Sequence, residues 1–478
     1  MSNRAFLAAF AKPRALVLSA VAAVLFASIV ACGGDDVAAT PTTTPVATKS
    51  PTSSATPRSS ATQTPAVTST AQPSAIQVAA SSKPRASAAV AAASTADLAA
   101  LVDGNTDFAF DLYQKLRTED GNLFYSPYSI SLALAMTFAG ARGQTEQQMA
   151  ATLGFPMLQS KLHPAFNTLD QKLASLGDNV PADQGTGFEL SIANSIWGQQ
   201  GFPFENDFLD TLAVNYGAGM RLVDYVSAAE QARLLINGWV EGETKDRIED
   251  LIPPGVIDSM TRLVLANAIY FKASWMHQFS TQATAPGQFT RLDGSDVTAS
   301  MMHAGIRTGY ADLDGVQAVE LRYVGGDTSM LVLLPEDGKF DEFERSLDAA
   351  RVQSLVDALG DYQVTLTMPK FEFESTVGLA DVLKAMGITD AFNPGAADFS
   401  GMDGSATDLC IQDVLHKAFV KVDEEGTEAA AATAVIMGVT SMPQSATMTV
   451  DRPFVFVIRD GTSGTVLFVG RVLDPNAS

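Results

Sequence analysis

Few residues of this 478-residue chain are spaced to make or break covalent bonds. The four histidines, His163, His277, His303 and His416, are scattered along it, and there is no GxSxG elbow, HExxH helix, GxxxxGK[ST] phosphate loop or CxxC pair. Catalytic triads are spatial and can assemble from distant residues, yet the expectation is a protein that is not an enzyme and holds no metal or cofactor. The acidic runs 246–250 and 341–344 are expected to be solvated helix faces. The segment that does invite a chemical reading is Glu424-Glu425-Gly426-Thr427-Glu428-Ala429-Ala430-Ala431-Ala432-Thr433. It continues into a β-branched stretch, 434–443, broken by Gly438 and Pro443. An Ala-rich helix would satisfy propensity alone. However, apolar strand-like stretches flank it at 409–422 and 454–459, and a long small-residue connection between strands is better explained as an exposed loop.

Composition narrows the partners such a loop could meet. With 53 acidic against 31 basic residues and a net charge of −22, the chain lacks the clustered cations that bind nucleic acid or an anionic membrane surface. Two cysteines, Cys32 and Cys410, allow no disulfide framework and no thiolate zinc site. Cys410 is expected to be buried and inert rather than a redox-sensitive thiol.

The chain's beginning reads as an export signal. Arg4, Lys12 and Arg14 precede an apolar run, 15–30, that ends at Ile29-Val30-Ala31-Cys32-Gly33-Gly34. That ending resembles a bacterial lipoprotein signal, which implies cleavage before Cys32 and a diacylglycerol on its sulfur. An ordinary signal peptide or an uncleaved anchor is the alternative. The resemblance places the protein outside the cytoplasm, lipid-anchored or secreted, and touching the membrane only through Cys32. Next come Thr, Ser, Pro and Ala in a stretch too poor in apolar groups to fold, expected to be a flexible stalk. The expected organisation is therefore 1–31 signal, 32–94 stalk and 95–478 a single large domain.

Hydrophobic periodicity across that domain supplies the elements that must position the loop. Phe108, Phe110, Leu112, Tyr113 and Leu116 fit a helix ended near Gly121, and further helices are expected over 128–138 behind Ser126-Pro127 and over 231–251. Strands are expected at 263–271, 330–334, 363–373, 454–459 and 466–472, where β-branched and aromatic residues concentrate. Helices early and strands late give an α+β class.

At this point the chain resembles the serpins. The stretch from Gly426 to Thr433 is similar to the hinge of an inhibitory serpin's reactive-centre loop, and further signatures follow in the family's order. These are Asn122-Leu123-Phe124-Tyr125-Ser126-Pro127-Tyr128-Ser129-Ile130, Leu265-Ala266-Asn267-Ala268-Ile269-Tyr270-Phe271-Lys272-Ala273-Ser274-Trp275, Met368-Pro369-Lys370-Phe371, His416-Lys417-Ala418 and Asp451-Arg452-Pro453-Phe454-Val455-Phe456. The resemblance runs from about Leu98 to Pro475. It implies helices packed around a large central mixed sheet, with smaller sheets and an exposed loop.

The resemblance also implies an activity: irreversible suicide-substrate inhibition of a serine protease. The cleaved loop would enter the central sheet as a new strand and deform the acylated protease before hydrolysis finishes. Strand alternation then points Thr427, Ala429, Ala431 and Thr433 inward and Glu428 outward; Glu425, Gly426, Ala430 and Ala432 complete the hinge. All four inward residues are small and uncharged, which suits burial. Counting as the family usually counts puts the attacked bond at Thr440-Ser441, with bonds after Val439 or Met437 as alternatives. These uncharged residues suit elastase-like or subtilisin-like proteases rather than trypsin-like ones. Ser126, Ser129, Asn267 and His416 match a polar cluster under the sheet, and Trp275 matches the point where insertion begins. The protein is expected to be a monomer whose partner is the target protease. A non-inhibitory serpin acting as a binding module is the alternative, although its usual mark, bulky or charged hinge residues, is missing. The anchor alone would also have suited a lipoprotein enzyme or solute receptor, which the motifs contradict.

Overall fold

The computed structural model describes residues 76–91, 93–176, 189–405, 409–427 and 444–477. All belong to one compact unit, Ala71–Ser478. Its centre is a mixed sheet with, among the described residues, the order β1 (Gln77–Ala79), β4 (Met220–Val223), β3 (Glu189–Gln199), β5 (Leu263–Ser274), β13 (Gly426–Thr427), β12 (Asp413–Val422) and β11 (Phe371–Gly378). A second sheet runs β14 (Gln444–Thr449), β10 (Gly360–Pro369), β7 (Asp296–Leu313), β8 (Val316–Arg322), β9 (Thr328–Pro335), β15 (Phe454–Asp460), β16 (Val466–Val472) and β2 (Leu123–Tyr125), with β6 (Ala285–Thr290) on β7. The helices are α1 (Ala88–Ala91), α2 (Thr95–Leu116), α3 (Pro127–Phe138), α4 (Gly143–Thr152), α5 (Gln159–Ala174), α6 (Asn206–Tyr216), α7 (Tyr225–Glu243), α8 (Phe340–Arg345), α9 (Ala349–Asp357), α10 (Ala380–Met386) and α11 (Ser400–Asp403). This is the α+β arrangement, helices packed around a large mixed sheet, that the resemblance implies.

Burial explains why the central sheet needs so apolar a β5. On that strand Leu265, Ile269 and Phe271 join the main core, whereas Val264, Ala266 and Ala268 face a second core built with Tyr225, Ile236 and Val240 of α7. Both faces are covered, so the strand reads as a continuous apolar run instead of an alternation. Helix α3 is buried along its whole length and is started by Ser126, whose Oγ accepts from Ser129 N at 3.1 Å, with Pro127 in the first turn.

Four expectations need correction. Helix α7 stops at Glu243 rather than 251, and Lys245, Asp246 and Asp250 take left-handed backbone (φ 54°, 60° and 47°). The run 246–250 is therefore a connection and not a helix face. Glu344 is no solvated member of its run: it is buried in an ion pair with Arg471 at 2.8 Å and accepts from Tyr113 Oη at 2.9 Å. The stretch 363–373 is two strands, β10 and β11, broken between Pro369 and Phe371 because proline cannot donate to a ladder. Finally, the folded part begins before 95, since β1 and α1 lie within the expected stalk and β1 pairs with β4.

Candidate functional site

Strands β5 and β12 pair in parallel at the middle of the central sheet, in register from Asp413 opposite Val264 to Phe419 opposite Tyr270. Beyond those residues the two strands part, and β13 occupies the gap. It is antiparallel to both neighbours, with Gly426 opposite Ser274, and Thr427 opposite Ala273 on one side and Val422 on the other. Cross-strand partners share a face, and Ala273 belongs to the main core. Thr427 accordingly points inward, is 1% exposed, and meets Tyr323 Oη at 2.9 Å.

Several contacts fix this two-residue strand. Trp275 Nε1 donates to Asp423 O at 2.9 Å, and its backbone N–H donates to Glu425 O at 2.9 Å. The Trp275 ring stacks on Tyr323 at 4.6 Å, so one aromatic pair holds both the turn before the hinge and Thr427 itself. Glu424, 6% exposed, pairs with Lys370 Nζ at 2.6 Å and accepts from Thr284 Oγ1 at 2.7 Å. Burial pushes this carboxyl up, but the hydrogen bonds from Lys370 and Thr284 outweigh it and hold the group below the ordinary carboxylate range.

Gly426 is required by close approach. A Cβ there would lie 2.2 Å from Ala273 O and 2.7 Å from Ser274 Cα, both backbone atoms that cannot yield. Gly426→Val is therefore expected to expel β13 from the cleft. Fluorescence of the Trp275 indole should shift to the red and the melting temperature should fall, by about 3 °C for each 2 kcal/mol lost at this size. An unchanged spectrum would contradict the seating of β13.

Below the gap, Asn194 of β3, Asn267 of β5 and His416 of β12 form one row across the sheet, each opposite the next. Ser126 and Ser129 of α3 lie beneath. The Ser126 N–H donates to His416 Nε2 at 3.1 Å, so the neutral ring carries its proton on Nδ1 and donates to Asn267 Oδ1. Asn267 Nδ2 donates to Ser129 Oγ at 2.8 Å and to Asn194 Oδ1; Asn194 Nδ2 returns a bond to Ser129 O at 3.0 Å. Ser126 Oγ donates to Leu467 O at 2.7 Å. The network is closed, and its His416–Asn267 bond crosses the β5–β12 ladder that any entering strand must open.

Four of the sequence-predicted polar residues thus meet in one cluster, while Trp275 stands apart from it at the gap. Asn194 was missed, although it shares strand parity with the core residue Ile196. Glu428, Ala429, Ala430, Ala431, Ala432, Thr433, Met437, Val439, Thr440, Ser441 and Cys32 lie outside the described residues. The other histidines stand in separate surroundings: His163 meets Tyr216 at 2.7 Å, His303 meets Thr367 at 2.8 Å, and His277 is exposed. Cys410 is buried, which pushes its thiol up.

A pH dependence follows from the cluster. Protonating His416 Nε2 would set a second N–H against that of Ser126, and burial lowers this imidazole from 6.5 to about 3. Burial, then the Arg142 charge, lowers His163 to about 4. Both folded values lie below the unfolded one, so the unfolded chain binds more protons and stability falls as pH drops below 6.5. The expected loss is about 1.4 kcal/mol per pH unit for each histidine. Denaturant melts at pH 7 and pH 5 check it; a flat profile would contradict the buried neutral rings.

The geometry defines a class: a protein that has seeded a strand in its own central sheet and keeps a closed polar lock beneath it. Comparison with known proteins identifies the class. Residues 103–475 match the family model described as Serpin (serine protease inhibitor), and the chain belongs to this family. It is 40% identical over 376 residues to Iris of Ixodes ricinus, covering 77% of this chain and 97% of that protein. It is 37% identical over 387 residues to the leukocyte elastase inhibitor of Homo sapiens, covering 78% and 99%. Among solved structures, native tengpin, a thermophilic serpin, superposes with a TM-score of 0.70 at 29% identity, covering 78% of this chain and 94% of that one. The family model's description and this relative's name are those of protease inhibitors and not of catalysts.

Proposed function

We propose that this serpin is an irreversible suicide-substrate inhibitor of serine proteases, acting outside the cytoplasm as a monomer. The observation that carries the reading is Thr427, already buried as a strand between β5 and β12. After cleavage, the small inward residues Ala429, Ala431 and Thr433 would extend that strand down the β5–β12 seam. As it entered, the Asn267–His416 bond would part and the freed groups of Ser126, Ser129 and Asn194 would pair again around it. Trp275 and Tyr323 hold the entry point.

The reactive bond is proposed at Thr440-Ser441, with Val439 and Met437 as the alternative reactive residues. These side chains suit elastase-like and subtilisin-like proteases, and a relative named for leukocyte elastase supports that preference. Lipidation at Cys32 after removal of 1–31 would anchor the protein outside the cytoplasm; without it the protein would be secreted.

The test is a set of inhibition time courses with elastase-like, subtilisin-like, chymotrypsin-like and trypsin-like proteases, followed by sequencing of the released C-terminal peptide. Time-dependent loss of elastase-like or subtilisin-like activity and a peptide starting at Ser441 are expected. Inhibition confined to the trypsin-like enzyme would overturn the specificity, and a peptide starting elsewhere would move the bond.

A further inference from the structure

The chain enters the central sheet at the end away from the hinge. Gln77, the first residue of β1, stands opposite Leu222, and Leu222, Gly198 and Leu263 share that row across β4, β3 and β5. Gly426 of the hinge stands opposite Ser274, eleven residues further along β5, which is roughly 36 Å at the rise of a strand. Ile76, one residue before β1, packs on the second core with Val223, Tyr225, Ile252 and Ile257.

Around this cluster the neighbouring apolar side chains turn outward. Val226, Val256 and Met260 are 50%, 41% and 68% exposed. Tyr225 and Val226 both donate their N–H to Gln199 Oε1, at 2.8 and 3.2 Å, and Gln199 N–H donates to Arg262 O at 3.0 Å. The start of α7 is thereby held beside the connection that feeds β5. That connection, 252–261, runs Ile252-Pro253-Pro254-Gly255-Val256-Ile257-Asp258-Ser259-Met260-Thr261, with one charge in ten residues. Its two prolines bring no backbone N–H that would need water. The charges nearby are folded back on the backbone. Asp258 accepts from the N–H groups of Met260 and Thr261 at 2.8 and 3.0 Å, Arg262 donates to Ser259 O and Thr261 O at 2.9 and 2.8 Å, and Asp224 accepts from Ser227 N–H at 3.0 Å. Exposed apolar groups scattered singly need no explanation, whereas a group of them around an uncharged Pro-Pro-Gly turn marks a contact surface.

We propose that this pole, Val226 together with 252–261, rests on the headgroup layer of the bilayer that holds the Cys32 lipid, so that the hinge faces away from the membrane. The tether names the occupant: the 43 residues 33–75 separate Cys32 from Ile76, at most about 150 Å of chain, and they join the domain at this pole. The face is too small to hold a free domain on a membrane. Anchoring makes the encounter intramolecular, at an effective concentration in the millimolar range for a short flexible linker, where shallow burial of a few Val and Met side chains suffices. An apolar contact also asks for no cluster of cations, which this acidic chain lacks. The resting domain presents its hinge to proteases arriving from outside and turns its least reactive end to the lipid.

The inference rests on the lipid anchor proposed above, and its test keeps the two apart. Mass analysis of Cys32 in the membrane-extracted protein decides the anchor: a free thiol or an uncleaved signal would remove that reading. The face is tested with the whole chain from Cys32 onward, coupled through the Cys32 thiol to a maleimide-headed lipid in phosphatidylcholine vesicles; Cys410 is buried and stays uncoupled. Hydrogen exchange is compared with that of the uncoupled chain mixed with the same vesicles. The N–H groups of 255–261 should exchange about tenfold more slowly in the coupled protein, as for a contact occupied about nine-tenths of the time. The exposed double variant Val256→Ser, Met260→Ser should lose that protection while its inhibitory capacity stays at the wild-type level. Equal exchange with and without coupling, protection that survives the double variant, or protection appearing instead at 276–279 beside the hinge overturns the face.

Discussion

Cut within 434–443, this serpin is expected to melt roughly 10–15 °C above the intact protein. Cutting a chain ordinarily loosens it, so the sign is diagnostic. Among the described residues of the intact protein, Gly426 and Thr427 stand between β5 and β12. Once cut, it can follow the seam where those strands now pair, from Phe419 and Tyr270 down to Asp413 and Val264. One parallel ladder is then exchanged for two antiparallel ones. A net gain on the order of ten backbone hydrogen bonds at about 1 kcal/mol each gives about 10 kcal/mol. Unfolding entropy at this size is about 0.8 kcal/mol/K, which sets the expected shift. Thermal scans of cut and uncut protein decide it, and coincident transitions would contradict insertion.

Thr427→Arg is expected to turn the inhibitor into a substrate. Thr427 faces the main core, hydrogen-bonded to the Tyr323 hydroxyl beneath the Trp275 ring. A guanidinium there would be buried without an anion or would have to stay outside, and either course opposes insertion by several kcal/mol. A penalty of about 3 kcal/mol slows entry more than 100-fold, long enough for the acyl bond to hydrolyse. The readout is the number of inhibitor molecules consumed per protease trapped, which should rise at least tenfold while cleavage of the loop continues. Unchanged inhibition by this variant would remove the assigned inward direction of the hinge.

Much of this arrangement is legible in the sequence because it depends on local signals. Ser126-Pro127 starts α3 where capping chemistry says it should, and the apolar run at 263–271 becomes the doubly buried β5. The small residues of the hinge record the burial that the family resemblance implies. What escaped depends on partners far away in the chain. The segment 76–91 looks like a stalk because Ser, Pro and Ala carry no apolar payload, and its order comes from Asp170, Asn167 and Asp210, partners that spacing does not reveal. Glu344 reads as one acid among several until Arg471 is placed beside it. Asn194 reads as an ordinary polar strand residue. Its parity with Ile192 and Ile196 was the available signal, and a buried Asn at such a position requires partners.

In the proposed mechanism the protease is trapped as an acyl-enzyme by strand insertion. Its most direct test is a denaturing gel of the intact protein mixed with an elastase-like or subtilisin-like protease in equal amounts. The expected result is a band that survives boiling in detergent, with the mass of the protease plus the inhibitor less its C-terminal peptide. Complete cleavage of the loop with every protease released free, together with a melting temperature that cleavage leaves unchanged, would contradict it.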